Sequence, residues 1–356
     1  MSIPIDVTFH PGWWYKNAGV CFNKDFFYNQ DYRLEADRKM RRVLYEKFGD
    51  LGLGEAKPQI RPIIGSDLIA SGFLHSEILG CEVRYSDPNP PEVICANLSD
   101  EEVESLTTPD LRESDVWRKT IEQADALSAK FGYVETCINL MGIQNIALDL
   151  RGAELFIDYY DNPSLAHHLL DICTRVSIDI GKGFKKYSSH VSAGVTAVIK
   201  QCAPEVYLTS NCSVDMVSLD TYESFLLEYD NALAGVFAPF GIHHCGKAME
   251  HVVDGYARVR DLTFAEVGAF SDMEAARRTL PNVFLNARYS PVRLKSAEYS
   301  EMTEEISDIL RKGLPLNLLS LSCVGIDAST SDSTVRDFLL AAKEALSQII
   351  KTPHSK

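Results

Sequence analysis

A chain of 356 residues with 46% hydrophobic and 24% charged side chains has the apolar content to bury a large core, which excludes a disordered or fibrous protein. The formal net charge of −15 argues against a nucleic-acid partner, because binding phosphates relies on clustered Lys and Arg. No apolar run approaches the roughly 20 residues that cross a bilayer; the opening MSIPIDVTFHPGWW lacks a secretion-signal layout and the nine cysteines show no CxxC pair, so a cytoplasmic protein with reduced thiols and no membrane association is expected.

The stretch Phe9 to Tyr32 is dense in aromatic residues, which implies packing or a pocket wall. From Leu34 the apolar residues Met40, Val43, Leu44 and Phe48 recur at helical spacing and stop at Gly49-Asp50. The pattern predicts an N-terminal helical cap over about residues 1–57 and a barrel over about 58–350, together a single domain. Short β-branched runs are expected as strands at Gln59 to Ile64, Val134 to Leu140, Gly194 to Lys200, Gly235 to His243, Asp261 to Val267, Val283 to Asn286 and Leu316 to Leu321. Helical patterns lie between several of them, among them Ser164 to Lys185, Tyr222 to Ala234, Gly246 to Tyr256, Asp272 to Thr279 and Ser300 to Gly313. Alternating strand and helix predicts parallel pairing, an α/β fold of the (β/α)8 TIM-barrel type with a helical extension. Pro88 to Arg112, rich in Pro and acids, reads as a surface excursion.

One constellation carries chemistry. After Gly235 to Phe240 the chain continues through Gly241-Ile242 to His243-His244-Cys245-Gly246. If the strand end stays extended, alternation sends His243 and Cys245 to one face and His244 to the other, so two ligands meet one ion. Cys323 offers a third soft ligand at the end of another strand, and Glu266, near the end of Asp261 to Val267, is either a fourth ligand or a rim carboxylate paired with a nearby Arg or Lys. An imidazole with two thiolates suits zinc and excludes magnesium and calcium, and three protein ligands leave a position open for chemistry. A buried Cys at a strand end is also a small hydrophobe, so the set gains its meaning from its combination. His10, His75, Cys202 and Cys212 have no evident partner at ligand spacing and read as structural.

At these residues the sequence resembles the uroporphyrinogen decarboxylase superfamily and, within it, the zinc-dependent corrinoid methyltransferases, whose signature is His-x-Cys followed at a long interval by a third Cys. Here 77 residues separate Cys245 from Cys323. The resemblance extends through Pro62 to Asp67, Leu79 to Arg84, Leu150 to Glu154 and Tyr222 to Leu226. It implies a zinc ion and a corrinoid (cobalamin) presented by a partner protein, with a methyl group moved between its cobalt and a small molecule. If Trp13, Trp14, Tyr15 and Phe22 line the pocket, an aromatic ether is the natural methyl donor; in the opposite direction the resemblance implies a thiol acceptor of the coenzyme M type. The decarboxylases' Arg-Gln-Ala-Gly-Arg motif reads here Lys16-Asn17-Ala18-Gly19-Val20, which removes the counter-charges of a porphyrinogen, although Ser66-Asp67 is similar to the segment that carries their essential aspartate. A metal-free decarboxylase and a non-catalytic zinc-stabilised binding protein are the rival expectations. Candidate substrate contacts are Trp13, Trp14, Tyr15, Lys16, Asp67, Arg288 and Tyr289, and Glu266 is the candidate catalytic group.

Overall fold

The computed structural model describes residues 2–188, 191–192 and 197–351. Its strands are β1 (Ile5–Phe9), β2 (Ile63–Gly65), β3 (Glu82–Arg84), β4 (Glu92–Ile94), β5 (Glu135–Cys137), β6 (Tyr207–Ser210), β7 (Phe240–His244), β8 (Leu262–Val267), β9 (Phe284–Tyr289) and β10 (Leu319–Ile326). Six of them form one parallel sheet in the order β1-β10-β9-β8-β7-β6. β2 and β5 form a parallel pair, and a parallel bridge between Met141 and Ser210 joins the chain beyond β5 to β6. These eight parallel strands, connected by helices, are the barrel the alternating pattern predicts. β3 and β4 make a small antiparallel ribbon leading into the acidic excursion.

The cap is built from α1 (Pro11–Ala18), α2 (Lys24–Tyr28) and α3 (Gln30–Phe48). Proline at the start of α1 and the His10 side chain, which accepts from Gly12 N, fix its entry, while Asn29 caps α3 by accepting from Tyr32 N. The aromatic run is the cap's core: Phe9 stacks on Trp13 with ring centroids 3.9 Å apart, and Trp14 meets Trp13 edge-on at 4.9 Å. The first strand departs from expectation, because Ile5–Phe9 is not part of a helical cap but a barrel strand, registered from Ile5 on Leu321 to Val7 on Cys323. β2, β5, β7 and β8 are shorter than the sequence runs, whereas β9 and β10 continue beyond theirs to Tyr289 and Ile326. The helix Leu227–Val236 takes the residues before Pro239, so β7 begins at Phe240. Of the strand expected at Gly194 to Lys200, residues 194–196 lie outside the described residues and Ile199–Cys202 is a helical turn; the strand here is β6. Among the described residues no helix is long and apolar enough to cross a membrane.

Register decides which side chains face the barrel interior. His243 pairs with Glu266, Glu266 with Asn286, and Asn286 with Ser320, so these four share one face. Hydrogen bonds along that row identify it as the inside: Asn286 Nδ2 donates to Glu266 Oε1 (3.2 Å) and to Ser322 Oγ (3.1 Å), and Ser320 Oγ donates to Asn286 Oδ1 (3.0 Å). The alternate residues face the helices. Tyr289 packs on Phe338 at 5.6 Å and donates to Glu305.

Candidate metal centre

β6 and β7 are neighbours in parallel register, Ser210 opposite His243, and Asn211 N donates to His243 O at 2.8 Å. Two residues beyond that pair the chains carry Cys245, which alternation returns to the side of His243, and Cys212, which opens the 3-10 turn Cys212–Met216. The ligating atoms of Cys212, His243 and Cys245 all lie within 4.8 Å of one another. His243 is buried and Cys245 exposed, so the group sits at the barrel mouth with one open side. His244 points away, as alternation requires, with Nδ1 2.8 Å from Tyr256 Oη and Nε2 3.1 Å from Ala248 O.

The turns that carry the two thiols are held from behind. Asn145 Nδ2 donates to Ser210 O (2.8 Å) and its Oδ1 accepts from Ser213 N (2.9 Å), while Gln144 Nε2 donates to Ser213 O (2.8 Å). Gly246 permits the turn after Cys245, since a Cβ there would stand 2.4 Å from Asp215 Cβ. Asn211 Nδ2 donates to Asp230 (2.8 Å), which also accepts from Tyr222 Oη (2.7 Å).

Charge at the site favours cation binding. The Cys212 thiol donates to Cys245 and, with His243 and Arg288 nearby outweighing burial, holds Cys245 down at about 3, as a thiolate. Cys212 itself is pushed well up, because it donates to that thiolate and is buried. Burial pushes His243 down, but Glu266 and Cys245 outweigh it and hold the imidazole up at about 9. Glu266 contacts His243 Nδ1, leaving Nε2 for an ion, and lies 3.6 Å from Arg288. A metal arriving here would displace the imidazolium and thiol protons, the usual linkage of metal binding to proton release.

The sequence expectations divide on these coordinates. His243 and Cys245 come together. Glu266 joins them from behind the imidazole, in the carboxylate–histidine arrangement that orients metal-bound rings, and not as a member of the three-donor group. Cys323 is not in that group: it is in register with Tyr289 and Val7, so it faces the helices, and burial pushes its thiol up to about 12. Tyr289 is turned outward for the same reason, whereas Arg288 points inward beside Glu266. Trp13 and Trp14 are consumed in cap packing, Tyr15 is exposed, and Lys16 donates to Ala328 O. Asp67 is buried and ion-paired with Arg61 and with Lys200 (2.9 Å), so its carboxylate is already engaged. The donor that sequence reasoning passed over is Cys212. Its signal was the run Val206-Tyr207-Leu208-Thr209, a β-rich stretch that places Cys212 at a strand's carboxyl end. A cleft of about 710 Å³ lies elsewhere, between α3 and Lys57–Gln59, and its charged lining is Arg, Lys and Glu.

A model of the uroporphyrinogen decarboxylase (URO-D) family matches residues 64–345. The chain belongs to the uroporphyrinogen decarboxylase family. This match spans the barrel from β2 through β10 and includes Cys212, His243, Cys245 and Glu266. No curated protein matches the sequence. Among solved structures the URO-D chain is similar to a methyltransferase from Methanosarcina mazei, at a TM-score of 0.67 and 16% identity over 96% of this chain and 94% of that one. It is also similar to a B12-independent methionine synthase from Shewanella sp. W3-18-1, at a TM-score of 0.50 and 12% identity over 99% and 98% of the two chains. At these identities the likeness is one of fold.

Proposed function

We propose that this URO-D family protein is a zinc-dependent methyltransferase that moves a methyl group between a small molecule and the cobalt of a corrinoid carried by a partner protein. The observation that carries the proposal is the convergence of an imidazole and soft thiol donors at the carboxyl ends of adjacent barrel strands, with an open side. Two of the structures to which the fold is similar are described as a methyltransferase and a methionine synthase, which agrees with the reading. Zinc held by His243, Cys245 and a second thiolate would lower the pKa of a substrate thiol or polarise the leaving atom of a methyl donor.

The chain's own residues then have distinct tasks. His243 offers Nε2 because Glu266 engages Nδ1, and Asn286 steadies Glu266 in turn. Arg288, on the inner face 3.6 Å from Glu266, is suited to an anionic group on the substrate. The aromatic residues that suggested an aromatic ether are packed in the cap and give no argument for that donor. Nor does Asp67 support a decarboxylase, since Arg61 and Lys200 occupy it.

The test is spectrophotometric. Zinc-loaded protein mixed with methylcobalamin and a panel of thiols, or with reduced cobalamin and methyl ethers, should interconvert the cobalamin forms. The conversion should disappear on chelation of zinc and in Cys245→Ala. Full conversion by zinc-free protein would contradict the proposal.

A further inference from the structure

We propose that Cys81 and Cys95 form a dithiol that a hydroperoxide closes to a reversible disulfide across the β3–β4 ribbon. This modification site is distinct from the candidate metal centre and does not depend on the zinc reading.

No CxxC spacing links the two cysteines in the chain, so the pairing becomes visible only through strand register. β3 and β4 run antiparallel with Glu82 on Ile94, Val83 on Val93 and Arg84 on Glu92. One residue further, at the end of the ribbon away from its turn, the same register sets Cys81 opposite Cys95. Opposed residues share a face, so both sulfurs lie on the side of Val83 and Val93. Cys81 N donates to Ser76 O at 2.9 Å and not across the ribbon, so the two cysteines are not a doubly hydrogen-bonded pair. Opposed residues without that pair of bonds stand about 4.5 Å apart at Cα. A disulfide spans Cα separations of roughly 4.4–6.8 Å, so the ribbon offers the bond without rebuilding its backbone.

The sulfur contacts lead to the same pairing by a separate route. Cys81 Sγ donates to Asp149 O at 3.5 Å, and Cys95 Sγ stands 3.4 Å from Leu148 O. These are successive carbonyls in the last turn of the helix Ile143–Arg151, so both thiols converge on one spot. Ala96 N, next to Cys95, donates to Asp149 O at 2.9 Å and fixes the ribbon there. Exposure divides the roles. Cys81 is buried and Cys95 half-buried. Burial first, then Asp149 and Cys95, push the Cys81 thiol up to about 12. Cys95 is therefore the sulfur an oxidant meets, and Cys81 waits behind it as the resolving thiol. Cys173, a third thiol in this region, is fully buried on the helix Pro163–Lys185 and has no place in the ribbon.

The chemistry balances in two steps. The Cys95 sulfur takes one oxygen of hydrogen peroxide, the O–O bond breaks, a sulfenic acid forms and water leaves. The Cys81 sulfur then displaces that hydroxyl, the S–S bond forms, and the Cys81 proton departs in a second water. Two thiols and one peroxide thus give one disulfide and two waters, and a dithiol reductant reverses the reaction. In a reducing compartment such a bond is transient, as a redox-responsive pair requires.

Peptide mapping of the full-length wild-type protein tests the proposal. Reduced protein is treated with excess hydrogen peroxide, its free thiols are capped with N-ethylmaleimide on unfolding, and it is digested without reductant. Trypsin cuts after Arg84 and separates the two cysteines unless they are bonded. Mass spectrometry should then find the Cys81 and Cys95 peptides joined, two hydrogens lighter than their sum, and released by dithiothreitol. Cys81→Ser, with circular dichroism unchanged, should leave Cys95 as a sulfenic acid that dimedone traps several-fold more than in wild type. In Cys95→Ser, Cys81 should stay a free thiol at the same peroxide dose. Recovery of both wild-type cysteines capped would overturn the proposal. So would a sulfinic acid at Cys95 beside a capped Cys81, or a bond from Cys81 to Cys173.

Discussion

His243 illustrates how a residue acquires a role from what stands behind it. Its ring is buried, Nδ1 is committed to Glu266, and a ring nitrogen lies within 4.8 Å of the Cys212 and Cys245 sulfurs. That pairing was legible only in part: His-x-Cys was evident in the chain, but whether Glu266 would be a ligand or a supporting carboxylate depended on a register that one sequence does not reveal. Asp6 makes a second residue-scale case. It lies on the inner face of β1, in register with Ser322, and its Oδ2 has no hydrogen-bond partner among the described residues. Burial is the main cause that pushes its carboxyl up to about 7, with Asp67 adding repulsion. The unfolded chain ionises this group near pH 4, whereas the folded chain keeps the proton until about pH 7. Stability from Asp6 is therefore complete at low pH and lost as pH rises from about 4 through 7, by on the order of 4 kcal/mol. Asp6→Asn should accordingly raise the urea midpoint over wild type at pH 8 by more than at pH 5. Equal midpoint differences at the two pH values would show that Asp6 is not protonated in the fold.

At the scale of elements, the site is a property of the β6–β7 pair. The helix Leu227–Val236 contributes through Asp230, which accepts from Asn211 next to Cys212 and from Tyr222. Asp230→Ala would strand two buried donors, a loss of about 2–4 kcal/mol. It should also loosen the turn of Cys212, so zinc affinity should fall together with the melting temperature. An unchanged zinc affinity would separate that network from the centre. The helical patterns were readable because amphipathic spacing persists over many residues, as in Pro163–Lys185 and Tyr299–Lys312. Barrel strands were harder. Three to eight buried residues carry little periodicity, so β6 was expected a dozen residues early and Cys212 was consequently read as structural. Spacing along a chain also gives no parity, so the sequence alone left open which face Cys323 takes: a shift of one residue moves a side chain to the opposite face.

At the scale of the whole molecule, alternation of strand and helix predicted the barrel, and eight parallel strands bear it out. What alternation did not reveal was that the chain's own start supplies one of them. β1 is five residues long and precedes an aromatic run that belongs to the cap, so nothing local distinguishes it from a leader into α1. Its partner β10 lies more than three hundred residues away in sequence, a pairing that only the closed fold reveals. The acidic character of the molecule argues against a nucleic-acid partner, and near the candidate centre Arg288 stands 3.6 Å from Glu266. The central claim is that ion. Metal analysis of the purified full-length protein beside His243→Ala tests it most directly. About one zinc per chain, absent from a His243→Ala variant with unchanged circular dichroism, is the predicted result; zinc missing from the wild type, or retained equally by the variant, would contradict the account.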